Sequence, residues 1–331
     1  MIFKESIEKL GFISEPISKK IDIKKEILRL KKEKNAIILA HFYQEDEIQE
    51  IADFVGDSLG LAQKAQNNTA DIIVFAGVHF MAETAKILSP HKKVLLPDLN
   101  AGCSLADSCP PDEFKSFLEK HPNHTVISYV NTSAAIKMLT DIVCTSSNAL
   151  QIVESLPKDE KIIFAPDRNL GSYIQKLTQR EMIIWDGACT VHEKFSVEKI
   201  LQLKKDNPTA KVLAHPECTE PVLIISDYIG STSNMLEFSK QDSSNTYIVA
   251  TESGILFKMK EASPQKTFIP APPNDSTCAC NDCEFMRLIT LEKVYTTLKY
   301  ELPEIQLDSE VIRLAKKPIL RMLEISNQLG L

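Results

Sequence analysis

Short runs of Ile, Val, Leu and Ala recur along the chain, each closing on a cluster of His, Ser, Asn, Asp, Glu or Gly. Runs of four or five apolar residues bounded by turn residues predict strands of a parallel sheet buried on both faces. They stand at 36–40, 71–75, 93–96, 125–129, 141–144, 161–164, 182–185, 211–214, 222–225 and 247–250. Between them, apolar positions at helical spacing predict helices, as over 46–54 and 81–86. In the first 35 residues, Ile21, Ile23, Ile27, Leu28 and Leu30 form a stripe among lysines, a helix packed on the first domain. Towards the end, 287–300 reads as an amphipathic helix, Pro303 breaks it, and 311–329 reads as another, interrupted near Pro318.

Alternating strands and helices predict an α/β fold with parallel sheets. Spacing adds a repeat. First-strand ends fall at His41, Tyr129 and His215, 88 and 86 residues apart. From the second strand end to the third is 21 residues each time: Gly77 to Asp98, Ser146 to Asp167, Ser231 to Glu252. The interval before that is 36 residues in the first unit but 17 and 16 in the others, so the first unit is expected to carry an insertion holding Gly56-Asp-Ser58. Three similar βαβαβ domains follow, expected at 1–107, 108–194 and 195–285, with packing helices over 286–331. Arranged about a pseudo-threefold axis, they would place an active site at the centre.

A chain of 331 residues exceeds one ordinary core. Its net charge of −7, with Lys and Arg scattered among acids, argues against nucleic acid or an anionic membrane as partner. A small anionic substrate needs only a local positive site and stays open. No apolar run approaches the ~20 residues of a membrane span, and the first residues lack a basic segment followed by an apolar core. A cytoplasmic protein is therefore expected. The eight cysteines, at 103, 109, 144, 189, 218, 278, 280 and 283, then read as thiols or metal ligands rather than a disulfide framework.

Three of them follow the repeat. Cys103, Cys189 and Cys283 are 86 and 94 residues apart, one near the end of each unit. Cys189 lies in the loop after the run that ends at Trp185, and Gly187 lets that loop turn inward. Three such loops at a common centre suit a metal or iron–sulfur site with three thiolates and one open coordination position. Zinc is the rival, since Cys280-x-x-Cys283 has the spacing of half a structural zinc site, but the chain offers only one such pair. Cys144 lies within a strand and reads as core. His41, Tyr43 and His215 follow first strands, at the sheet end where α/β proteins place their chemistry. Ser146 and Ser231 open helices after second strands, where a hydroxyl and unpaired N–H groups cap the helix or receive an anion.

A set of segments in fixed order resembles the iron–sulfur quinolinate synthase family of NAD biosynthesis. They are Ala40-His-Phe-Tyr-Gln44, Gly56-Asp-Ser-Leu59, Phe75-Ala-Gly-Val-His-Phe-Met-Ala-Glu-Thr-Ala-Lys86, Ala101-Gly-Cys-Ser-Leu105, Tyr129-Val-Asn-Thr132 and Cys144-Thr-Ser-Ser-Asn148. Pro166-Asp-Arg-Asn-Leu-Gly171, Gly187-Ala-Cys-Thr-Val-His-Glu193, His215-Pro-Glu-Cys218, Gly230-Ser-Thr-Ser233, Thr251-Glu-Ser-Gly254 and Cys283-Glu-Phe-Met286 continue it. The resemblance implies a three-domain α/β fold and a [4Fe–4S] cluster held by three Cys. It implies condensation of iminoaspartate with dihydroxyacetone phosphate to quinolinate, with loss of phosphate and water. It carries the cluster ligands to Cys103, Cys189 and Cys283, the last because Cys283-Glu-Phe-Met286 has the family's spacing to Met. Cys109, Cys218, Cys278 and Cys280 are then expected to be non-ligands.

The same resemblance implies substrate contacts for His41, Ser58, Tyr129, Asn131, Ser146, His215, Glu217, Ser231 and Thr232. His41 and His215 would take carboxylate or phosphate, and Tyr43 and Glu217 would serve as general acid and base. His192 and Glu252 are further cavity candidates. Phe42 stands where the family often has a first tyrosine, while Tyr43 keeps the catalytic one. An L-aspartate oxidase would supply iminoaspartate upstream. The alternatives are another open-site [4Fe–4S] hydro-lyase, and a non-catalytic metal-binding protein with triplicated domains.

Overall fold

All but one of the ten apolar runs become parallel strands. In a computed structural model of the protein, which describes residues 2–274 and 281–331, β1 (Ala36–His41), β2 (Phe54–Gly56), β3 (Ile72–Ala76) and β4 (Lys93–Leu95) form one sheet in the order β2-β1-β3-β4. A second sheet holds β5 (Thr125–Tyr129), β6 (Ile142–Cys144), β7 (Ile162–Ala165) and β8 (Met182–Ile184), in the order β6-β5-β7-β8. The third holds β9 (Lys211–Ala214), β10 (Tyr228–Ile229), β11 (Thr246–Ala250) and β12 (Thr267–Pro270), ordered β10-β9-β11-β12. Every strand pair is parallel. The central strands are apolar and buried along nearly their whole length, as crossover helices on both faces require.

The three sheets repeat one another more closely than the spacing implied. His41 pairs with Gly56, Tyr129 with Cys144, and Ala214 with Ile229, the same offset of 15 residues in each sheet. The first unit therefore carries no insertion. Gly56 closes its second strand, and the run at 71–75 is its third. Each sheet has four strands, where the spacing gave three. Ser58, Ser146 and Ser231 now stand at one repeat position, two residues past the second strand.

An acidic residue marks the repeat as well. Asp53, Asp141 and Asp227 each accept a hydrogen bond from the first strand, at Ile38 N (2.7 Å), Val126 N (2.8 Å) and Val212 N (2.8 Å). Each returns its own backbone N–H to the carbonyl of the same residue, at 2.9, 2.9 and 2.8 Å. This reciprocal pair fixes the entry of each second strand, two or three residues long, against the first.

Two apolar segments depart from the expectation. Val222–Ile225 is not a strand: Glu220–Ile224 is helical, with Pro221 in its first turn where a missing N–H does no harm. The helix Ser309–Gln328 runs through Pro318 without interruption. Burial of Ile319, Met322 and Leu323 there outweighs the ~3 kcal/mol that an internal proline removes.

The described chain divides into two compact units, Met1–Cys103 with Glu284–Lys316, and Ser104–Cys283 with Lys317–Leu331. The first contains the first sheet, on which helices Ile23–Glu33 and Leu291–Tyr300 pack together. The second contains the other two sheets. In its first half, Phe114 and Phe117 meet Trp185 edge-on at 5.5 and 5.2 Å, and the indole N–H donates to Ser108 O at 2.9 Å. Gly187 is required beside this contact, because a Cβ there would collide with Ser108 Oγ. No described helix is long and apolar enough to cross a membrane.

Candidate active site

In the second unit, the loops leaving strand C-terminal ends converge on Glu217. Tyr129, the last residue of β5, donates its hydroxyl to Glu217 Oε1 at 2.6 Å. His192 Nδ1 lies 3.3 Å from Glu217 Oε2, an ion-pair contact without the alignment of a hydrogen bond. His215 Nδ1 lies 3.5 Å from Oε1. The two imidazoles stack at 4.7 Å between centroids. His192 Nε2 reaches Thr251 Oγ1 at 2.9 Å, and His215 Nε2 reaches Ser146 Oγ at 3.1 Å. His192, His215 and Glu217 are all buried.

The charges follow from this packing. Burial would raise the Glu217 carboxyl, but His192, His215 and the Tyr129 hydroxyl outweigh it and hold it at about 2. Asp167 is moved the other way. Burial, then the Glu217 charge, push its carboxyl well above the usual range, against backbone N–H groups of Leu170, Cys189 and Asn169. Asn169 bridges the loops, its amide donating to Glu193 Oε1 (2.9 Å) and to Glu217 O (3.1 Å).

Cys189 stands beside this cluster. One ligand atom each from Cys189, His192 and Glu217 lie within 4.8 Å of one another, close enough to hold a metal ion. Cys283 is in the same unit, and its N–H donates to Glu252 Oε1 at 3.3 Å. Asn131 presents a buried amide oxygen with no hydrogen-bond partner. Ser231 caps the helix Thr232–Gln241 through Asn234 N at 3.2 Å, and Thr232 is buried behind it. Ser146 does not cap: Asn148 holds that place, and the Ser146 hydroxyl faces His215 instead.

The first unit carries its own group. His41 ends β1, and its Nδ1 accepts the backbone N–H of Tyr43 at 3.2 Å. Glu217 N makes the same contact to His215 Nδ1 at 3.4 Å, so both first-strand histidines are aimed by the residue two further on. The His41 and Tyr43 rings meet edge-on at 4.4 Å. Arg287 donates to Tyr43 O at 3.2 Å, and the Gln44 amide donates to Met286 O at 3.1 Å. Ser58 opens the helix Ser58–Gln66, which Asp57 caps. Cys103 is half-buried after β4, in a loop where Ala101 O accepts His79 N at 2.7 Å.

The cysteines divide by environment. Cys103, Cys189 and Cys283 are half-buried, each following the fourth strand of its sheet in the chain. Cys109, Cys144 and Cys218 are core. Burial pushes the Cys109 thiol up to about 12 and those of Cys144 and Cys218 up as well. Metals bind thiolate, so the donor chemistry of the first three fits a thiolate-held group and that of the core three does not. Cys278 and Cys280 lie outside the described residues.

Asp167, Asn169 and Thr251 were missed as site residues, although each lies in a segment already singled out. Their only signal was position, within four residues of a third strand's end.

Three like parallel sheets, with a thiol, two imidazoles and a carboxylate gathered at strand C-terminal ends, define a repeat-built α/β enzyme with a site able to hold a metal. The chain belongs to the quinolinate synthetase A protein family (NadA), which matches residues 25–324. It is 58% identical over 306 residues to the quinolinate synthase of Thermosynechococcus vestitus, covering 92% of this chain and 96% of that protein. The quinolinate synthase of Chloroherpeton thalassium is 56% identical over 324 residues, 98% of this chain and 99% of its own. That of Synechococcus sp. is 57% identical over 305 residues, 92% and 95%.

Proposed function

We propose that the protein condenses iminoaspartate with dihydroxyacetone phosphate to form quinolinate, releasing phosphate and water, as a transferase of NAD biosynthesis. What carries this reading is the buried Glu217–imidazole cluster beside Cys189, in a chain 56–58% identical to proteins named quinolinate synthase. The proposed cofactor is a [4Fe–4S] cluster on Cys103, Cys189 and Cys283, one thiolate from each repeat. Their loop positions and half-buried thiols support that set over the core cysteines. When bound, such a cluster supplies a Lewis-acidic iron with one position open to substrate oxygen or nitrogen.

The chain's own residues supply anion binding and proton movement. His41 and His215 are assigned to substrate carboxylate or phosphate. Ser58, Ser146 and Ser231, at one repeat position, add hydroxyls, with Thr232, Tyr129 and the unsatisfied amide oxygen of Asn131. His215 accepts the Glu217 backbone N–H at Nδ1, so its neutral ring carries its proton at Nε2, donates it to Ser146 Oγ, and is set to give a proton to a substrate anion there. Glu217 and Tyr43 remain the assigned base and acid. Iminoaspartate would come from an L-aspartate oxidase. A thiolate-dependent protein of this kind suits the reducing cytoplasm.

The test is cysteine replacement in protein purified without oxygen. Cys103→Ala, Cys189→Ala and Cys283→Ala should each lose bound iron and quinolinate formation, while Cys109→Ala should keep both. Iron retained in all three would refute the ligand set.

A further inference from the structure

We propose that Asp167 and Glu252 are positioning residues, each gripping the backbone amide of a cluster cysteine so that its side chain is aimed before the cluster arrives. The proposal rests on the reading of Cys189 and Cys283 as ligands. Cys189 N donates to Asp167 Oδ2 at 3.1 Å, and Cys283 N donates to Glu252 Oε1 at 3.3 Å. The two acids occupy one repeat position, two residues past the third strands β7 and β11, and each is 0% exposed. In each, the second oxygen is anchored locally. Asp167 Oδ1 accepts Asn169 N (2.7 Å) and Leu170 N (2.9 Å), and Glu252 Oε2 accepts Gly254 N (2.7 Å).

A buried carboxyl group is expensive to desolvate and persists only where partners satisfy its oxygens. Here those partners tie the third-strand exit to the cysteine loop, so one side chain joins the sheet to the ligand. The first sheet has Val78 at this position, and the backbone takes over, with His79 N donating to Ala101 O two residues before Cys103. A two-oxygen acceptor is needed where one side chain must serve both anchors. In an amide the second position is an NH2 donor, so one of the two anchors would face a donor instead of an acceptor.

The experiment compares the full chain with Asp167→Asn and Glu252→Gln. Iron loss to a chelator is timed in anaerobically reconstituted protein. Alkylation of each cysteine by iodoacetamide is measured by peptide mass spectrometry in iron-free protein. Outer partners of metal ligands are worth on the order of 10- to 100-fold in metal affinity, so each variant should lose iron at least about 10-fold faster. Alkylation should rise several-fold at Cys189 alone in the first variant and at Cys283 alone in the second. Asp167→Ser retains a helix cap for Arg168–Thr178 but offers no second oxygen to Cys189, and it should behave as Asp167→Asn does. Wild-type iron release and wild-type alkylation at both cysteines in the folded variants would overturn the proposal. A wild-type protein that takes up no iron would instead sink the cluster reading, and the alkylation arm would still judge the two carboxylates.

Discussion

Tyr129→Phe removes one oxygen from the centre of the site. That oxygen donates at 2.6 Å to Glu217 Oε1, and both side chains are nearly inaccessible, at 4% and 3% exposure. A hydrogen bond to a charged acceptor contributes ~1.5–3 kcal/mol. Glu217 would then keep only the imidazole contacts at 3.3 and 3.5 Å. We expect a loss of ~2 kcal/mol. Urea unfolding would show this as a midpoint about 1 M lower for a slope of ~2 kcal/mol/M. The cycle with Glu217→Gln separates this bond from general loosening. Residues sharing a buried polar network couple by ~0.5–3 kcal/mol, whereas independent sites add to within ~0.5. A coupling of at least ~1 kcal/mol is expected. Additivity to within ~0.5 kcal/mol would refute the claim that Tyr129 stabilises the fold through Glu217.

Asp227 supplies a pH test. Burial raises its carboxyl, but Lys204 at 2.6 Å and the Val212 N–H lower it below the usual range. Because the folded value is depressed, its contribution is full above the unfolded value of about 3.9 and is lost as pH falls through the folded one. Asp227→Asn should lower Tm at pH 7, and the gap should close under acid; a gap of constant size would contradict this. Gly187→Ala forces a Cβ onto Ser108 Oγ, beside Pro166 and Trp185 at 3.2 Å. It should cost about 1–3 kcal/mol and shift the emission of Trp185, the single tryptophan, whereas unchanged emission and stability would argue against this close approach. In folded, iron-free protein, iodoacetamide should label Cys103, Cys189 and Cys283 while Cys109, Cys144 and Cys218 react only on unfolding, since burial keeps those three protonated. Labelling of Cys144 at the rate of Cys189 would contradict that division.

Most strands legible in the sequence were buried on both faces, because a run such as Ile72–Ala76 leaves no polar position to confuse it. Phe54–Gly56 and Tyr228–Ile229 escaped notice because two or three residues carry no period. Their marker is the preceding aspartate, which only the backbone contact to the first strand explains. That omission put the first unit out of register and produced the spurious insertion. Val222–Ile225 misled for a related reason: a short apolar run cannot distinguish strand from helix, and Pro221 should have decided it. At the site, the repeat placed Tyr129, His215 and Glu217 at strand ends. Asp167 and Thr251 were not legible as partners of Cys189 and His192, because those contacts join segments 22 and 59 residues apart through single hydrogen bonds.

The proposed synthesis of quinolinate with an iron–sulfur cluster on three cysteines can be judged on one anaerobic sample, assayed both for iron and for quinolinate formed from iminoaspartate and dihydroxyacetone phosphate. Turnover together with about four irons per chain is expected. Folded protein that forms no quinolinate while holding iron, or that forms it without iron, would refute the proposed chemistry.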